Sequence, residues 1–316
     1  MGPGLLGYLI RRLLWAIPVL FVISLLVFYM LRLAPGDPTD TLLRQNYTPE
    51  AAQRLREKYG YDQPIHVQYW KWLSNLAQGD LGVSTRYPDF TAQEVILPKM
   101  WTSTQIGFFA LLITFSIGIP AGIYAALARG TFLDPLVISF WLLLDAVPYF
   151  VLIPLAQWVF ALQLGWVDLS YDGVYSANMI LPVLTLALPA VAGVARLMRA
   201  SVLGVMGEDY IRTARAKGLR ESTVVFTHIA RNALLPMITV IGLSLPGMAA
   251  GSLFVELLFG IPGIGREAFD AVLAPDFDVI LALVMFGSFL FVAANILVDI
   301  AYAVIDPRVR LGEARG

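Results

Sequence analysis

The sequence contains no cysteine, which excludes disulfides, thiolate metal sites and a cysteine nucleophile. Its two histidines, His66 and His228, stand too far apart in the chain to suggest a histidine metal cluster. Charge is scarce: Asp, Glu, Lys and Arg make up 14% of the 316 residues, against about a quarter in an ordinary soluble domain. What charge there is sums to −1, with no basic surplus of the kind a nucleic-acid partner demands. No GxxxxGKS or GxxxxGKT phosphate loop occurs, so ATP is not expected on this chain. Nor is there an HExxH pair or a nucleophile–base–acid set, so no catalytic residue, resident cofactor or metal is expected.

In place of charge there is apolar surface. Hydrophobic residues are 58% of the chain and the mean hydropathy is +0.71. A bilayer core of about 30 Å takes roughly 20 apolar residues as helix. Runs of that kind lie at 13–31, 105–128, 136–164, 180–195, 235–259 and 279–305, predicting an all-α polytopic membrane protein with about six spans. The first run follows Arg11 and Arg12 and so imitates a signal peptide. It is longer than a typical signal core, however, and the residues after it offer no small-x-small cleavage site.

Lys and Arg in the short loops set the orientation. They precede the first run, sit at Arg129, crowd between the fourth and fifth runs (Arg196 to Arg231), and recur at Arg308, Arg310 and Arg315. The alternate loops are poor in them, so six spans with both termini cytoplasmic satisfy every short loop. The expected organisation is a first span within 1–33, an external segment over 34–99, a membrane core over 100–305 with a cytoplasmic loop at 204–234, and a tail from 306.

Prolines punctuate the spans at Pro18, Pro120, Pro148, Pro154, Pro189 and Pro246. Each removes a backbone donor that must be compensated inside the protein. They suit kinked helices around a gated cavity, although proline is also simply commoner in membrane helices. Ionisable residues within the runs are costly and therefore functional candidates. Asp145, near Pro148, either lines a transport path or bonds to a neighbouring helix. Asn295 and Asp299, one turn apart on one face, suit a structural or gating bond near the cytoplasmic side. Arg32 can reach the interface by snorkelling.

Two segments are not spans. In 33–99, Thr48 as N-cap, Pro49 at the first helical position and Gly60 past the end delimit a helix with Ala52, Leu55 and Tyr59 on one face. A second piece at 67–76 gathers Tyr69, Trp70 and Trp72, aromatics suited to a membrane interface. The segment is either a cap on the outer surface or a platform for an external partner. The loop at 204–234 predicts a polar helix over 208–217, a left-handed turn at Gly218, and a second helix from about Glu221 capped by Ser222 or Thr223. Such a pair makes a compact cytoplasmic knob, unless its charges are only the usual positive-inside residues. The glycine-rich 259–265 stretch, FGIPGIG, caps the fifth span and turns the chain.

These motifs together resemble the permease subunit of dipeptide/oligopeptide ABC importers, over nearly the whole chain. The similarity is carried by Arg11-Arg12, Ala34-Pro35-Gly36-Asp37-Pro38, Asp62-Gln63-Pro64, Gly79-Asp80-Leu81-Gly82, FGIPGIG and Asp306-Pro307-Arg308. Glu208, Asp209 and Tyr210, followed by Arg212, Thr213, Ala214, Arg215, Ala216, Lys217 and Gly218, are similar to the family's cytoplasmic coupling loop, with Arg231-Asn232-Ala233-Leu234-Leu235-Pro236 behind it. Arg212 stands where the generic importer motif has Glu, as is common in the peptide branch.

The resemblance implies a type I importer fold in a prokaryotic inner membrane. It also implies a second homologous permease, two P-loop ATPases carrying ATP and Mg, and an external solute-binding protein. In that arrangement the loop is the ATPase-coupling element, its small residues Ala214, Ala216 and Gly218 allow close approach, and Arg212, Arg215 and Lys217 pair with partner carboxylates. Asp145, Pro148, Asn295 and Asp299 are then the pathway or gate residues.

Overall fold

A computed structural model describes residues 5–33, 43 and 48–305. The motifs at 34–38 and 306–308, and the basic residues beyond 308, lie outside these. Among the described residues the secondary structure is helical, apart from one isolated antiparallel bridge between Val83 and Thr91. Five helices are long and apolar enough to cross a membrane, and a bent pair makes a sixth, as the apolar runs predicted.

Helix α1 (Leu5–Leu33) is followed by α2 (Pro49–Tyr59), whose ends match the cap chemistry. The Thr48 hydroxyl accepts from the Ala51 amide, Pro49 needs no amide partner, and Gly60 closes the helix at φ 75°. Helix α3 (Ile65–Ala77) carries the aromatic cluster, and its Tyr69 is buried against Phe28 of α1. The Tyr69 hydroxyl lies 2.9 Å from Ser24 Oγ, so the aromatics serve packing on α1 as well as any interface. Trp70 stays exposed.

Helix α4 (Ala92–Leu127) starts well before its apolar run, so its first turns occupy the end of the expected external segment. The third span is α5 (Leu133–Asp145) and α6 (Tyr149–Ala156), the latter continuing as a π-helical stretch over Gln157–Gln163. Pro154 has no N–H for the carbonyl of Phe150, and the helix widens just after that lost bond. Helix α7 (Ile180–Met206) runs past its apolar core. Beyond it come α8 (Asp209–Ala216), α9 (Glu221–Thr223), a second π-helical stretch over Val224–Ala230, and α10 (Arg231–Ala233). The fifth span is α11 (Leu235–Ala250) with α12 (Leu253–Leu258). Gly260 at φ 67° turns the chain into α13 (Ile264–Leu273), as FGIPGIG predicted, and α14 (Phe277–Ile305) is the last span.

The chain divides into two compact units, Met1–Thr102 with Pro262–Gly316, and Ser103–Ile261. In the first, α1 packs along α14, and Arg12 holds Asp299 through contacts of 3.0 and 3.1 Å. The loop before α4 wraps the start of α14. Asp276, wholly buried, accepts from the Thr85 and Arg86 amides and the Ser84 hydroxyl, and its Oδ1 also takes the Val279 amide of the first turn. The GDLG motif has its physical reason here: a Cβ on Gly82 would fall 2.6 Å from the Asp278 carboxylate.

In the second unit, α4 presents small residues to its neighbours at helical spacing. Ala110, Thr114, Gly118 and Gly122 recur every four residues. A Cβ on Gly118 would meet Val194 at 2.8 Å, and one on Gly122 would meet the Ala195 carbonyl of α7 at 2.5 Å. Thr114 Oγ1 donates to the Ala187 carbonyl at 3.0 Å. With no apolar driving force between helices in lipid, such close backbone approach is what supplies dispersion contact. A part-buried ion pair adds a second tie: Arg199 of α7 grips Asp134 of α5 through both carboxylate oxygens at 2.5 and 2.6 Å.

Candidate functional site

The knob is anchored from below and presented above. Ile211 and Ala214 of α8 are buried in a cluster with Met198 and Val202 of α7 and Val224, Val225 and Ile229 of the π-helical stretch. The Ser201 hydroxyl donates 2.8 Å to the Ala233 carbonyl, closing the base. Glu208 and Asp209 begin the helix, where negative charge favours the positive end of its dipole. At the far end Gly218 has φ 75°, with open space around it, as the sequence predicted. The next helix enters at Glu221 with Arg220 in the cap position, so neither Ser222 nor Thr223 caps it. Burial of Val224 and Val225 fixes where that helix starts more strongly than hydroxyl chemistry does.

Two residues of the knob are engaged within the chain itself. Ala214 is buried in the chain's own core. Arg215 is bound through two nitrogens by Glu221, at 2.6 and 3.2 Å, and staples α8 to α9 across Gly218. That hydrogen-bonded guanidinium holds the Glu221 carboxyl below the usual range. The outward surface of the knob is therefore Tyr210, Arg212, Thr213, Ala216, Lys217, Gly218, Leu219 and Phe226, all exposed, with Phe226 at 73%. Arg212 makes a long contact, 3.4 Å, to Asp209.

Asp145 and Pro148 come together at a break. Asp145 is exposed as the last residue of α5, and Pro148 caps α6, the two halves meeting at 92°. Pro18, Pro154, Pro189 and Pro246 by contrast sit inside helices that continue. Asn295 and Asp299 are elsewhere, in α14. The Asn295 amide donates 2.7 Å to the Phe291 carbonyl of its own helix, and Asp299 is the partner of Arg12.

One ionisable residue inside a span escaped the sequence reading. Glu256 in α12 is 2% exposed and accepts from Ser103 Oγ at 2.7 Å and from the Ser252 amide at 3.2 Å. It stands just over one turn after Gly251, whose φ of 72° ends α11. The signal was present, since any acid in an apolar run carries the same cost as Asp145.

Comparison with known proteins agrees with this architecture. Residues 118–311 match the family described as the binding-protein-dependent transport system inner membrane component, and residues 5–88 match its N-terminal counterpart. The oligopeptide transport system permease protein OppB of Haemophilus influenzae is 37% identical over 307 residues, covering 97% of this chain and 100% of its own length. The glutathione transport system permease protein GsiC of Escherichia coli is 37% identical over 309 residues, covering 97% and 99%. Among solved structures, a chain of the inward-facing MetNI methionine ABC transporter aligns with a TM-score of 0.55 at 16% identity, over 67% of this chain and 97% of that one. Both the matched regions and the near full-length identity show that the chain belongs to the family of inner-membrane permease components of binding-protein-dependent transport systems.

Proposed function

We propose that this chain forms one half of the membrane pathway of an ATP-driven importer for peptides or peptide-like solutes, and couples that pathway to a cytoplasmic ATPase through the α8–α9 knob. The other half is a second homologous permease. Two P-loop ATPases supply ATP and Mg chemistry, and an external binding protein delivers the solute. Both termini lie on the cytoplasmic side. Support for the solute class comes from the relatives named for oligopeptide, peptide and glutathione transport.

The observation that carries the coupling role is the knob's division of labour. Ile211 and Ala214 lock α8 to the helices beneath it, while Tyr210, Ala216, Lys217 and Leu219 face outward. A peg so anchored transmits displacement to α7 and α11 instead of absorbing it. Gly218→Val places a β-branched residue at φ 75°, a conformation that costs about 1–2 kcal/mol and swells the tip. The expected result is normal membrane insertion and at least a fivefold loss of substrate-stimulated ATP hydrolysis in the reconstituted complex. Unchanged coupled transport refutes the role.

Asp145 is the pathway residue in this reading, because it is exposed at a break that interrupts a span. Asp145→Asn is expected to alter solute preference or transport rate several-fold with full recovery of assembled complex. Loss of assembly in place of altered transport assigns it a structural bond.

A further inference from the structure

The first unit holds a cleft of about 220 Å³ whose walls include Arg32, Lys58, Tyr61, Lys71, Asp80 and Asp278. Arg32 occupies the last turn of α1, one turn beyond Phe28, which packs against Tyr69. Its guanidinium lies 4.5 Å from the Tyr61 ring centroid, 5.3 Å from that of Phe28 and 5.5 Å from that of Phe277. Such a collar orients a cation without neutralising it.

In the same cleft Asp278, near enough to the Arg32 guanidinium to feel its charge, accepts from the Val83 amide at 3.3 Å, and Asp80 accepts from the Gly82 amide at 2.9 Å. Lys71 Nζ stands over Gly60, 3.6 Å from where a Cβ would be. Among the described residues, none of the three cations Arg32, Lys58 and Lys71 forms an ion pair with either carboxylate. Opposed charges that line one cleft and do not touch leave room for a ligand that carries both signs. The depth is informative as well. Arg32 is in the final turn of the span Ile10–Leu33 and Asp278 in the first turn of Phe277–Ala301, so the cleft opens where apolar helix gives way to headgroup level.

We propose that this cleft binds a zwitterion, with its anionic group on Arg32, Lys58 and Lys71 and its ammonium on Asp80 and Asp278. A phosphatidylethanolamine headgroup and a free peptide both carry that chemistry. The inference rests on the charge layout of the first unit and holds whatever solute the importer carries.

The test uses the full chain within its purified complex. Native mass spectrometry compares retention of phosphatidylethanolamine with phosphatidylglycerol, which lacks the ammonium. Thermal shifts compare Ala-Ala with N-acetyl-Ala-Ala. At least a fivefold preference for one of the zwitterions is expected, lost in Arg32→Gln and reduced at least threefold in the exposed pair Lys58→Gln/Lys71→Gln, which is well placed to leave the fold intact. Preference for the lipid alone identifies a headgroup site, and preference for Ala-Ala alone a soluble-zwitterion site. No preference for either, or a preference unchanged in the lysine pair, overturns the proposal.

Discussion

Gly122→Leu is expected to leave the second unit unable to pack, so that the purified chain loses its monodisperse peak on size-exclusion chromatography and its cooperative melt. At Gly122 a Cβ would sit 2.5 Å from the Ala195 carbonyl, 2.6 Å from Met198 Cβ and 3.0 Å from the Arg199 amide. Two of these atoms are helix backbone, which cannot yield as a flexible side chain can. Overpacking of this kind costs about 1–3 kcal/mol even where side chains can adjust, and more where backbones must part. The separation would propagate: Arg199 is the residue that grips Asp134, and Met198 is fully buried under the knob. Gly193, one helical turn before Leu197 on α7, is the control, because a Cβ there would meet nothing within 4 Å. Gly193→Leu is expected to elute and melt as the native chain does. A Gly122→Leu protein indistinguishable from it would show that the α4–α7 contact does not hold the unit together.

What the sequence disclosed was local. The Thr48-Pro49 start and Gly60 stop of α2 are short-range cap chemistry, and they appear as such. Gly218 takes its left-handed conformation for the same reason, the absence of a Cβ at a helix end. The six apolar runs survive as spans because bilayer thickness acts on length and composition alone.

Other features depended on partners distant in the chain. Arg12 and Asp299 are 287 residues apart, and nothing in either neighbourhood announces the pairing. Arg199 counts as an ordinary positive-inside residue until Asp134 is beside it. A proline in an apolar run signals a lost donor but not an angle. Pro148 accompanies a 92° break, whereas Pro189 lies in a helix that simply continues. Among the site residues, sequence located the knob but not which of its faces pointed inward. Ala214 and Ala216 differ by two positions and nothing else, and only packing separates them: one is buried and the other exposed.

Glu256 is where a single atom group has most to lose. Its Oε1 receives both the Ser103 hydroxyl of α4 and the Ser252 amide at the head of α12, so one carboxylate oxygen ties the second span to the break in the fifth. Glu256→Ala removes that acceptor from the part-buried Ser252 amide and from the buried Ser103 hydroxyl. A buried donor left unsatisfied costs about 1–3 kcal/mol. The truncated side chain would also enlarge the neighbouring cavity of about 70 Å³, which Gly107, Met248 and Gly251 help to line. Both effects fall on the helix junction that Gly251 already interrupts, so the loss should register in movement as much as in stability. The expected outcome is at least a tenfold fall in transport by the reconstituted complex, with a clearly lower melting temperature. Glu256→Gln keeps the shape and one acceptor oxygen, and is expected to recover most of the melting temperature. Should the alanine variant melt and transport as the native chain does, the carboxylate is not what joins these spans, and the junction is held by the Gly107–Met248 backbone approach and the buried cluster of Ile106 and Ala110 with Val255 and Phe259.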